Sequence, residues 1–141
     1  MTPETPGTYT VRPIGIVHSP VSDPAEAPRQ GDEGAPDTWI SFAPGLAAAA
    51  RDLRPGDDVL VLTWLHRADR DVLAVHPRDD ASRPMTGVFA TRSSHRPNPI
   101  GLHRVRIIAT EDQRIKVRDL EAVDGTPVVD IKPVLERRGE R

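Results

Sequence analysis

DVLVLTWLH, Asp58 to His66, is a nearly continuous apolar run, and the rest of the chain is read outward from it. It reads as a central strand buried on both faces. Upstream, APGLAAAARDLRPG (Ala43 to Gly56) predicts a helix, with Pro44 in its first turn, four alanines in its middle and Pro55-Gly56 stopping it. Before that come a short strand at Trp39 to Phe42 and a Pro-, Asp- and Glu-rich loop at His18 to Asp37. Tyr9 to Val17 reads as the first strand, its Pro13 marking an edge or a bulge. Residues 1–8 read as a disordered, frayed terminus.

Downstream, Val72 to Val75, Gly87 to Thr91 and Leu102 to Thr110 read as strands, and Pro97 and Pro99 forbid regular structure between the last two. Glu111 to Gln113 turn into RIKVRDL, Asp124-Gly125 is a hairpin signal, and TPVVDIKPVL is the last strand. Residues 136–141 read as a solvated C-terminal tail. Seven or eight short strands against one helix argue for a mainly β chain: a single small β-barrel domain, or a folded sandwich, over residues 9–135, with one or two short helices. A doubly wound domain would need a helix after each strand. Neither G-x-G-x-x-G after a strand nor G-x-x-x-x-G-K-[ST] occurs, which argues against the common dinucleotide and triphosphate sites.

Composition narrows the function. At 141 residues the chain has the size of one domain, and with 4% aromatic residues Val, Ile, Leu and Ala must carry its packing. The absence of cysteine excludes disulfides, thiolate metal sites and thiol catalysis. No His/Asp/Glu cluster shows ligand spacing, so no metal is expected. No secretory signal and no apolar stretch of membrane-spanning length is seen, so a cytoplasmic protein away from membranes is expected.

The net charge is only −2, yet Ala81 to Thr110 holds five arginines (83, 92, 96, 104, 106), two histidines (95, 103) and no acid. Average composition would put roughly four acids there, so the bias is local. Arg92 follows the apolar VFAT, and Arg92 and Arg96 flank a proline-stiffened turn. A rigidly mounted guanidinium suits bidentate capture of a carboxylate or phosphate, so an anion site is expected.

GVFATRSSHRPNPIG (Gly87 to Gly101), VDGTPVVDIKP (Val123 to Pro133) and IGIVHSP (Ile14 to Pro20) with PRQ (Pro28 to Gln30) together resemble the TsaA-like, or TrmO, family, in the same order and over nearly the whole chain. The resemblance implies a small β-barrel methyltransferase that uses S-adenosyl-L-methionine and works as a homodimer, with the cofactor at the subunit interface. It implies methylation of N6 of threonylcarbamoyl-adenosine at position 37 of tRNA, so the anticodon loop of tRNA is the expected partner. It assigns the cofactor to Pro28, Arg29 and Gln30, to His66 and Arg67, to Arg92 and Leu102, and to the turn of Glu121, Asp124, Gly125 and Thr126. Arg83, His95, Arg96, Asn98 and Arg104 are left to contact the substrate. The accepting nitrogen must lose a proton, and Asp124 is the first candidate to take it, with His66 and then His95 behind it. His18 and His103 read as structural.

The chain departs from the family pattern in places. Glu121 stands where relatives have Asp, Ser94-His95 replaces a commoner Pro or Thr followed by an aromatic, and the short archaeal-type form is expected, without the extra C-terminal domain of long bacterial relatives. Two other readings therefore stay open: a methyltransferase of the same fold acting on a small molecule, and a non-catalytic module that binds the cofactor or RNA.

Overall fold

A computed structural model describes residues 7–20 and 37–135. Among them are eight strands and one short helix: β1 (Gly15–His18), β2 (Thr38–Phe42), α1 (Ala47–Ala50), β3 (Asp58–Trp64), β4 (Ala74–Val75), β5 (Thr86–Gly87), β6 (Ile100–Glu111), β7 (Arg114–Arg118) and β8 (Pro127–Pro133). Six of them close into an antiparallel barrel in the order β1-β2-β7-β6-β3-β8, with β8 returning to β1. The remaining two, β4 and β5, form a small ribbon of their own. The expected barrel is thus the fold.

Strand alternation builds the core. Val59 and Val61 of β3, Val105 and Ile107 of β6, Ile115 and Val117 of β7, Ile40 of β2, Val17 of β1 and Val128 of β8 all point inward and are buried. These are all β-branched residues, whose stiff, compact side chains fit a narrow barrel interior. Register shifts between Leu62 and Thr63 and between Ile107 and Ala109 bend the sheet where it closes. Gly15 is needed where β1 crosses β2, because a Cβ there would lie 2.5 Å from the carbonyl oxygen of Ser41.

Several boundaries differ from the sequence reading. β3 is central, between β6 and β8, but it is not buried on both faces: Leu60, Leu62 and Trp64 are half-buried on the outside of the wall. A closed small barrel has one inside, so only every second residue can enter it. The first strand begins at Gly15 rather than Tyr9. The helix shrinks to Ala47–Ala50, a single turn that buries nothing and lacks a side-chain cap. Gly45 just before it has φ +85°, which breaks the helical path after Pro44. One turn of alanine without tertiary packing cannot offset the cost of helix nucleation.

Val88–Ala90, expected within a strand, is a 3₁₀ turn, so Arg92 does not follow a packed strand. Asp124-Gly125 forms a turn with Gly125 at φ +83°, but not a hairpin, since β7 and β8 are not neighbours in the sheet. That turn is tied to β1 instead, through Gly125 N–H to Val17 O and Val17 N–H to Thr126 O.

Candidate functional site

A wide, open concavity of about 1670 Å³ runs along β6. Two loops border it, residues 65–71 after β3 and the proline segment 91–99 before β6. Hydrogen bonds lace them together. Arg70 donates from Nε to Pro97 O at 2.7 Å and from Nη2 to Asn98 Oδ1 at 2.8 Å, with its guanidinium 5.2 Å from the Trp64 ring centre. Arg96 N–H donates to Asp69 O, and Asp69 N–H donates to His95 Nδ1 at 2.9 Å. The stiffness expected from the prolines is therefore shared with Arg70 and Asp69, two residues that no local sequence signal marks.

Within this frame the arginines divide. Arg92 lines the concavity and is exposed, with no hydrogen bond or ion pair among the described residues. Arg96 turns back, donating from Nη1 to Thr91 O and Ser93 O at 3.0 Å each, so it braces the loop. Arg104 reaches Asp58 at 3.5 Å. Arg83 pairs with Asp80 at 3.6 Å in the connection between β4 and β5 and does not line the concavity. Of the described arginines expected to act on ligands, Arg92 is the one held ready by the loop with its own donors unused.

The remaining expected residues fall on two sides. His66, Arg67, Leu102, Glu121 and Thr126 line the concavity, as do His95 and Asn98. Asp124 and Gly125 do not. The Asp124 carboxylate accepts from Ser19 N–H at 3.1 Å, pinning the turn to the end of β1. Asp124, expected as the proton acceptor, is a turn residue outside the lining of the concavity, with its carboxylate engaged by the Ser19 amide. Pro28, Arg29 and Gln30 lie outside the described residues. Among the described residues, no group of three or more His, Cys, Asp or Glu could hold a metal ion.

The backbone adds a feature that composition could not show. Among the described residues, β6 pairs from Ile100 to Val105 with β3 alone, because its register with β7 starts only at Arg106. The Ile107 N–H and C=O point toward the β3 side, to Asp57 O and Gly56 N–H. By the alternation of a strand, the amide and carbonyl of Leu102 lie on the opposite, open edge. The floor beneath them holds Glu121 and the buried His103.

Residues 16–138 match the family model described as the tRNA-methyltransferase O N-terminal domain. This chain belongs to that family. Among relatives of the TrmO-family chain is a probable S-adenosyl-L-methionine-binding protein of Methanothermobacter thermautotrophicus, 41% identical over 126 residues that cover 89% of this chain and 90% of the relative. Another, from Archaeoglobus fulgidus and described in the same words, is 42% identical over 123 residues, covering 87% of this chain but only 33% of the relative. A crystal structure of TrmO from Pseudomonas aeruginosa superposes with a TM-score of 0.75 at 30% identity, covering 96% of this chain and 61% of the solved one. The chain therefore spans a third of one relative's length and about three fifths of the solved TrmO chain.

Proposed function

We propose that this chain is a methyltransferase that binds S-adenosyl-L-methionine in the concavity along β6. The acceptor it serves is N6 of threonylcarbamoyl-adenosine at position 37 of tRNA. The observation that carries the reading is the pairing, on one concavity, of the uncommitted guanidinium of Arg92 with a carboxylate, Glu121, whose Oε2 is buried and lacks a hydrogen-bond partner among the described residues. A zwitterionic nucleoside fits that pairing. Its carboxylate takes the Arg92 fork, its base edge takes the open amide and carbonyl of Leu102, and Glu121 supplies an acceptor and negative charge. When bound, the cofactor supplies an electrophilic methyl group on a cationic sulfur.

This chain's residues do the rest. Catalysis rests on alignment, so the loop braced by Arg70 and Asp69 has to hold Arg92 still. Proton removal falls to His66, whose exposed ring lines the concavity and makes no hydrogen bond among the described residues. His95 is less suited, since its Nδ1 already accepts from Asp69 and a neutral ring is left with only an N–H at Nε2. Arg67 lines the rim beside His66. The protein acts as a homodimer in the cytoplasm. Supporting the dimer, the outer wall of β3 and β6 carries half-buried Leu60, Leu62 and Trp64 beside Ile100 and Leu102, which are 45% and 40% exposed. No helix among the described residues is long and apolar enough to cross a membrane.

A small-molecule acceptor is the second reading. It is favoured by Arg83, Arg96 and Arg104, the cations expected to meet RNA phosphates, all having partners inside the chain. Calorimetry with S-adenosyl-L-methionine, followed by mass spectrometry of nucleosides from bulk tRNA incubated with enzyme and cofactor, tests both. Binding with a new methylated threonylcarbamoyl-adenosine supports the tRNA reading. Binding with unchanged tRNA turns the search to small molecules, and no binding ends the cofactor reading.

A further inference from the structure

Three side chains form a line from the barrel interior to the floor of the concavity. Thr63 on β3 and His103 on β6 are 0% and 5% exposed, and Thr63 Oγ1 lies 2.7 Å from His103 Nε2. On the other side of the ring, His103 Nδ1 is 3.5 Å from Glu121 Oε1. Two buried atoms in this line have no hydrogen-bond partner among the described residues: His103 Nδ1 and Glu121 Oε2. Leaving a buried polar atom unsatisfied is costly; Nδ1 has Oε1 beside it in a contact short of a hydrogen bond, so Oε2 is the atom left for a partner outside the described residues.

The direction of the line follows from what each group can do. An ionised carboxylate only accepts. A neutral ring facing it must carry its proton on Nδ1, because the other tautomer would set two lone pairs against each other. Nε2 is then an acceptor, and the Thr63 hydroxyl donates to it. Gly101 keeps the line open: a Cβ there would collide with Thr63 Oγ1 and stand 2.7 Å from His103 Nε2.

We propose that His103 is a positioning residue for Glu121. Its Nδ1–H steers Oε1 through the 3.5 Å contact, and Oε2, buried and unpartnered among the described residues, is thereby left as an acceptor for an O–H or N–H of the bound ligand. The proposal rests on the methyltransferase reading and deepens it, since sequence reasoning had given His103 a structural part only. The donor comes either from the ribose hydroxyls of the cofactor or from the N–H of the methyl acceptor.

Two measurements test it. Long-range ¹⁵N NMR of the wild-type ring should show the proton on Nδ1 and a bare Nε2. In calorimetry with S-adenosyl-L-methionine alone, His103→Leu should bind about tenfold more weakly if the donor is a ribose hydroxyl. If the donor is the acceptor's N–H, cofactor affinity stays put and kcat falls instead. In either case His103→Asn, whose amide can donate from near the Nδ1 position, should recover much of the loss. A folded His103→Leu with wild-type affinity and wild-type kcat overturns the proposal, and so does a ring protonated on Nε2. Failure of the wild-type chain to bind the cofactor would instead sink the proposed function, and the ligand half of this proposal with it.

Discussion

Arg92 and Glu121 show how one residue's state depends on its neighbours. Both were expected as site residues, Arg92 from the acid-free window and the family motif, Glu121 from the family resemblance alone. That Arg92 has unused donors while Arg96, four positions on, is spent on Thr91 and Ser93 carbonyls is a matter of loop geometry. Arg92→Ala should weaken S-adenosyl-L-methionine binding about 10- to 100-fold by calorimetry, the range for losing charged hydrogen bonds. Arg92→Lys should restore only part of it, because an ammonium cannot make the two-pronged contact. Asp124→Ala should leave methyl transfer near wild type and cost about 1 kcal/mol in denaturant unfolding, since its carboxylate serves the Ser19 amide. Gly101→Ala should cost about 1–3 kcal/mol, read as a lower denaturant midpoint with an unchanged slope, because the new methyl meets two buried side chains.

At the level of elements, hydrophobic pattern identified the strands and misjudged their faces. DVLVLTWLH looked buried all round because Leu60, Leu62 and Trp64 are as apolar as Val59 and Val61. Only barrel closure says which set is inside. The alanine run failed as a long helix for the opposite reason: its propensity is high, but nothing packs on it. The loop braced by Arg70 is an element that sequence could not delimit, since its partners lie 27 and 28 positions away. Arg70→Ala should speed amide exchange at Asp69 and Arg96 while leaving the barrel core protected. Where β3 meets β6, the Arg106 guanidinium hydrogen-bonds Asp58 and holds its carboxyl below the ordinary aspartate range. A lowered folded pKa gives stability that is complete above the unfolded value and lost as pH falls through the folded one. Asp58→Asn should therefore flatten the acid side of the stability profile in thermal unfolding. The effect should be small, because the pair faces solvent and salt screens it.

The whole molecule is a barrel with an open apolar wall and a concavity larger than one cofactor needs, small-molecule sites commonly being about 300–1,000 Å³. Both features fit a second subunit. Leu62→Glu, on the outer face of β3, should shift sedimentation from dimer to monomer without unfolding the barrel. Binding to tRNA should weaken steeply with added salt if phosphates are gripped, and turnover of a small acceptor should not. The sequence by itself determined the strand count, the barrel class, the basic window and the family motifs, because each is written in local pattern or in ordered segments of the chain. Only the tertiary structure decided which face of β3 is inside, that Arg92 is unspent while Arg96 is not, that the Asp124 carboxylate serves the Ser19 amide, and that Thr63, His103 and Glu121 stand in line. Those facts depend on distances between residues far apart in sequence, and closure of the barrel sets them all at once.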